Sequence, residues 1–204
     1  MSQSNENWWA VPDGVDPTDP LTARREEAAI PLSLLSHDLY AYADGYKTAA
    51  DAVLREAMES PGSKNLLAHP VVFLYRHYLE LALKDIIILG RQLYGKLGNV
   101  NPYKNHRIDL LWAEAEKYIT EAFPDPDTTG YLDMAEATIV RFGEVDPKSF
   151  NFRYPVDTDG AAILLPNIWV GLQNLKISMD HVEQVLYGVA SHLDELLSLR
   201  CSEL

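Results

Sequence analysis

FLYRHYLELALK, residues Phe73 to Lys84, opens a helix that is apolar around most of its circumference yet carries Arg76, His77, Glu80 and Lys84. At about 100° per residue, Phe73, His77, Glu80 and Lys84 fall on one narrow stripe, with Arg76 at its edge. The other faces hold Val72, Leu74, Leu79, Leu81, Leu83, Ile86, Ile87 and Ile88. A helix apolar on most sides is a buried helix. Ionisable groups in a core must be paired or hydrogen-bonded, because stranding one costs several kcal/mol. Arg76 and Glu80 are four apart, as are Glu80 and Lys84, the spacing of an intrahelical ladder. The stripe is therefore either a structural polar network or a working site.

Outward from this segment the pattern stays helical. The spacing of Leu35, Leu39, Tyr42, Tyr46, Ala49, Val53 and Ala57 predicts a helix over about 32–60, ended by Pro61-Gly62. Pro70 suits the first turn of the second helix, which runs to about Leu93 before Gly95, Gly98, Asn99 and Pro102. A third helix covers about 108–123 and stops at Pro124, and a fourth covers about 129–142. An irregular stretch follows from Asp146 to Ala161. Pro166-Asn167 opens a closing helix to about Leu199, with apolar positions at Leu172, Leu175, Met179, Val182, Leu186, Val189, Leu193 and Leu196. No strand pattern of real length and no internal repeat appear. The expectation is an all-α, up-and-down bundle of about five helices over residues 31–204. Residues 1–30, with Pro12, Pro17 and Pro20 among aspartates, read as an extended or disordered arm. Trp8 and Trp9 in that arm would dock on the body or on a partner.

The formal charge of −13 argues against a protein that coats nucleic acid by phosphate neutralisation. The charge is uneven, however. From Lys64 to Arg107 seven bases face only Glu80 and Asp85, a local +5, so the remainder carries −18. Such a patch serves either a phosphate contact or an acidic neighbouring surface. The single Cys201 leaves no intrachain disulfide and no cysteine-based zinc site. There is no HExxH, no Gly-rich phosphate loop and no nucleophile elbow, so neither metal nor cofactor is expected. No apolar run is long enough to span a bilayer, and MSQSNENWW does not read as a secretory signal. Both favour a cytoplasmic protein without membrane contact.

Four pieces taken together carry a resemblance: FLYRHYLELALK, the loop into NHRIDLLW (Asn105–Trp112), the turn FRYPVD (Phe152–Asp157), and the long closing helix. Over roughly residues 32–199 the combination resembles the HEPN superfamily of helical bundles, found in bacterial toxin, phage-defence and RNA-processing systems. Active members are metal-independent ribonucleases that often dimerise. Their signature is an Arg followed, after four to six residues, by a His. The His moves a proton at a ribose 2′-hydroxyl while the Arg holds the phosphate. This chain departs from the signature. The required positions after Arg76 hold Leu81, Ala82 and Leu83, and those after Arg107 hold Trp112, Ala113 and Glu114. Lys176 with His181 comes nearest, and lysine lacks the bidentate fork of arginine.

The resemblance implies RNA and a cognate antitoxin or defence protein as partners, and a homodimer. A catalytic version would use Arg76 on phosphate, His77 as proton shuttle and Glu80 to orient one of them. Lys84, His106, Arg107, Arg153, Tyr154 and Asp157 would then contact substrate, with Arg153 held over the stripe by its loop. The alternative is a non-catalytic interaction module, an adaptor or dimerisation domain. In that case the stripe is structural, Asn105 or His106 caps the third helix, and Arg153 pairs with Asp157.

Overall fold

The computed structural model describes residues 38–60, 62–124, 129–163 and 169–202. The expected arm over 1–30, including Trp8 and Trp9, lies outside the described residues. Among the described residues there are five helices: α1 (Leu39–Glu59), α2 (Lys64–Tyr94), α3 (Ile108–Ala122), α4 (Thr129–Val145) and α5 (Leu172–Ser202). The described residues contain no strand, only an isolated bridge between Val156 and Ala162. The chain is an all-α helical bundle. None of its described helices is long and apolar enough to cross a membrane.

Local chemistry sets the helix ends. The Asp38 carboxylate accepts the Ala41 N–H at 2.9 Å and so caps α1. Gly95, at φ 77°, stops α2 in a backbone conformation that costs glycine little. Pro70 lies inside α2 rather than at its start. The proline removes one backbone donor there. Leu66, whose carbonyl would have accepted it, is 78% exposed, so water can take that bond. The closing helix also begins later than Pro166-Asn167, which lie outside the described residues. Trp169 to Gly171 are non-helical, and α5 starts at Leu172. The fourth helix runs one turn beyond Phe142, to Val145.

The second helix is the centre of the molecule, packed against α1, α3 and α5, while α4 packs on α3 and α5. Its Val71, Tyr75, Leu79, Leu83, Ile86 and Ile87 are fully enclosed. They meet Ile108, Leu111, Ala115 and Tyr118 of α3 and Met179, Val182, Leu186 and Leu193 of α5 in one core. Gly90 permits a close approach between α2 and α3: a Cβ there would overlap the Tyr118 ring. The buried face of α1 is Ala43, Lys47, Ala50, Leu54 and Ala57. That face is turned by about one position from the expected one, and Tyr42 is 44% exposed. A buried lysine in an otherwise apolar row is the reason, as its surroundings show.

Candidate functional site

The charged stripe of α2 is buried. Arg76 is 0%, Glu80 2% and Lys84 7% exposed. Each nitrogen of the Arg76 guanidinium is engaged within the protein. Nε donates to the Asp146 carbonyl at 3.0 Å, Nη1 to Glu80 Oε2 at 3.1 Å, and Nη2 to the His106 carbonyl at 2.7 Å. Nε also lies 3.3 Å from Asp146 Oδ2. That oxygen has charge contact but no aligned hydrogen bond among the described residues. The other carboxylate oxygen, Oδ1, accepts the N–H groups of Phe150 and Asn151 at 2.7 and 3.0 Å.

Glu80 is the hub. Its Oε1 accepts from Lys84 Nζ at 2.8 Å and meets His106 Nδ1 at 2.7 Å. Burial pulls the Glu80 carboxyl upward, but the bonds from Lys84, His106 and Arg76 outweigh it and hold the group below its ordinary value. The cluster joins the middle of α2 to the loop before α3 and to the end of α4. Two cations and two carboxylates, with one imidazole at the rim, make a nearly neutral assembly.

The expected site residues do not all converge on it. His77 turns away, packed edge-on against Tyr46 at 4.3 Å and stacked with Phe73 at 6.0 Å. Burial depresses its pKa. His106 takes the place expected of His77, with its side chain 63% exposed. Arg107 is exposed and bonds Asp109 at 3.2 Å through Nε. Asn105 Oδ1 accepts the Arg107 N–H at 2.8 Å, closing a turn just ahead of α3. The helix itself has no side-chain cap, so Asn105 shapes the approach instead of capping, and the His106 ring serves Glu80.

Arg153 neither reaches the stripe nor pairs with Asp157. Its Nε donates to the Ser149 carbonyl at 2.7 Å, and its guanidinium lies over the Tyr154 ring. Tyr154 also packs at a tilt against Phe150, with ring centroids 4.8 Å apart. Asp157 folds onto its own turn, accepting the N–H groups of Asp159 and Ala161. What the loop delivers to the stripe is Asp146. Lys176 and His181 also diverge: Lys176 bonds Asp180 at 2.6 Å, while His181 Nε2 donates to the Tyr131 carbonyl at 3.0 Å.

A second charged cluster was not expected from sequence. Lys47, 2% exposed, donates to Asp51 at 2.9 Å, Asp180 at 3.1 Å and Glu183 at 2.8 Å. Tyr75 donates to the other oxygen of Asp51 at 2.6 Å. Burial disfavours the Lys47 charge, but bonds to Glu183, Asp51 and Asp180 raise its pKa above the ordinary value. The visible signals were the Lys47/Asp51 and Lys176/Asp180 spacings of four and a lysine in register with Ala43, Ala50, Leu54 and Ala57. A third pairing sets Arg91 against fully buried Glu114 at 2.6 Å, with Lys117 on its second oxygen at 3.0 Å. Among the described residues no group of three or more His, Cys, Asp or Glu is placed to hold a metal ion.

Fold and site together define an all-α bundle braced by buried ion-pair networks. Comparison of the chain with protein-family models, curated proteins and solved structures returned no match.

Proposed function

We propose that this chain is a HEPN-like, non-catalytic interaction module, in which the Arg76–Glu80–Lys84 stripe braces the bundle and the surface meets a protein partner. The burial of Arg76, with each guanidinium nitrogen already bonded within the protein, carries this reading. A phosphate could reach the guanidinium only by displacing Glu80, the Asp146 carbonyl or the His106 carbonyl from a site with no exposure. His77 is not beside it, and no arginine has a histidine at the spacing of the HEPN nucleases. A setting in bacterial defence or toxin–antitoxin systems rests on the resemblance alone.

One observation favours the second reading, an RNA-binding or metal-independent ribonuclease function. Buried Glu80 orients the exposed His106 ring through Nδ1, leaving the other ring nitrogen outside the pair. Carboxylate-oriented imidazoles can serve as general bases. Incubating the full chain with structured and single-stranded RNAs in EDTA, beside a His106→Ala/Arg107→Ala variant, separates the two. The module reading expects no cleavage by either protein and no retarded complex at physiological salt. Cleavage by the wild type that the variant abolishes would overturn it in favour of the nuclease.

A further inference from the structure

The geometry points to the cleft between α1, α2 and α5 as a receptor for an arginine side chain from a basic segment of a partner protein. The cleft has a volume of about 300 Å³ and is walled by Tyr40, Tyr78 and Tyr187 together with Asp44, Asp85 and Glu183. It adjoins a second hollow of about 440 Å³ that shares Tyr40, Asp85 and Tyr187 and adds Asp38 and Asp194. Among the described residues no lysine or arginine lines either one.

Only part of this acidic lining is spent on neighbours. Glu183 is tied to Lys47, and Asp38 caps α1. Asp44, Asp85 and Asp194 form no ion pair among the described residues. Burial, and then the charges of Asp38 and Asp194, push the Asp85 carboxyl up to about 6. A cation placed among them would relieve that repulsion.

An independent observation comes from Tyr78. It is 5% exposed, and its hydroxyl has no hydrogen-bond partner among the described residues. The hydroxyl is not one of the enclosed polar atoms left without a partner, and its access to solvent is through the cleft it lines. Tyr40 and Tyr187 form a tilted aromatic pair at the rim, with ring centroids 5.8 Å apart at 43°, and both rings are about half exposed. Aromatic faces beside carboxylates suit a planar guanidinium, which stacks and forks at once. Among the described residues no three carboxylates are gathered tightly enough to hold a metal ion. The occupant therefore has its charge spread over a plane and carries an apolar stem.

The assignment of a protein occupant rests on the interaction-module reading. RNA cleavage would remove that reading but leave binding at the cleft to be measured separately. The test is a titration of the full chain into a fluorescein-labelled arginine–glycine repeat decapeptide, followed by anisotropy at low salt. Tyr187→Ala, at a half-exposed position, should weaken binding about threefold or more. Asp44→Asn/Asp85→Asn should weaken it about tenfold or more. Glu116→Gln/Glu121→Gln, which removes the same charge from exposed positions of α3, should leave it unchanged. A peptide with citrulline replacing arginine should not bind. Melting curves of each variant separate lost binding from lost folding. Absence of binding, equal weakening by the α3 control, or binding of the citrulline peptide overturns the assignment. Spermidine binding more tightly than the peptide through the same carboxylates would make this a polyamine site, and would overturn it too.

Discussion

Arg76 Nε and Asp146 Oδ2 lie 3.3 Å apart with neither side chain exposed, joining the middle of α2 to the residue that ends α4. The same aspartate holds the N–H groups of Phe150 and Asn151, so one carboxylate anchors both the helix and the loop that leaves it. Through Arg76 this link continues to Glu80, and from Glu80 to Lys84 and His106. The network fixes three separate segments relative to one another, whereas each of its bonds in water would contribute little.

Removing the arginine leaves Asp146 buried without its cation among the described residues and leaves Glu80 with Lys84 as its remaining cation. Arg76→Ala should therefore destabilise the protein by about 3–5 kcal/mol. Urea unfolding at pH 7 measures it as a fall in midpoint with an unchanged slope. Glu80 adds a pH signature. Its folded pKa is depressed, so its contribution is present above the unfolded value and disappears as pH falls through the folded one. The wild type should lose stability on acidification below about pH 4.5, and Glu80→Gln should lose less over the same range. Parallel acid titrations of the two proteins would contradict the hub role of Glu80.

Much of this was legible in the sequence, and the remainder has identifiable causes. The α2 ladder could be read because Arg76, Glu80 and Lys84 lie four apart within an apolar helix, so spacing alone set the contacts. The apolar row of α5 from Met179 to Leu193 was equally plain. Asp146 could not be read, because its partner is 70 residues away and its role depends on how α4 ends. The position of His106 just ahead of α3 suggests capping or substrate contact, whereas its ring closes the Glu80 cluster. The offset in α1 has the same origin: Lys47 looks like a surface residue until α5 brings Asp180 and Glu183 to it. Pro70 misled because proline inside a helix is tolerated where the freed carbonyl is exposed, and exposure is a tertiary property.

Lys47 supplies the central positive charge for three carboxylates. Lys47→Met keeps the apolar stem and leaves Asp51, Asp180 and Glu183, each about a third exposed, with Lys176 as their nearest cation. Solvent screening of the partly exposed acids limits the expected loss to about 1–2 kcal/mol at pH 7. Burial opposes the charge on Asp180, but Lys176 and Lys47 hold its pKa below the ordinary value. That stabilisation is present above the unfolded pKa and vanishes as pH falls through the folded one. The gap between wild type and variant should therefore narrow on acidification below about pH 4. Thermal melts across pH 3–7 follow it, and a constant gap would show that Lys47 acts through packing alone.

Gly90 tests the contact between α2 and α3. Alanine is the better helix former by about 1 kcal/mol, so a free helix face would gain from Gly90→Ala. Here the added Cβ would overlap Cβ, Cγ and Cδ1 of Tyr118, a residue with no exposure and its hydroxyl bonded to the Leu97 N–H at 3.1 Å. The ring cannot swing out without breaking that bond. Net destabilisation of about 1–3 kcal/mol is expected, read by chemical denaturation. Stabilisation would mean that the two helices separate at little cost.

Asp85 behaves oppositely to Glu80. Its carboxyl is raised to about 6 by burial and by the charges of Asp38 and Asp194, so the folded protein holds a proton more readily than the unfolded chain does. Unfolding above that value relieves a charge that the fold disfavours. The destabilisation is fully present above about pH 6, shrinks as pH falls, and is gone below the unfolded value of about 4. Asp85→Asn removes the charge while keeping nearly the same shape. It should raise the melting temperature at pH 7.5, with the gain fading between pH 6 and 4. Addition of an arginine–glycine peptide should raise the wild-type melting temperature at pH 7.5 more than that of Asp85→Asn, because the bound cation compensates the charge the variant lacks. If the variant melts lower than the wild type at pH 7.5, Asp85 is a supporting residue of the bundle instead of a strained acid facing a cleft.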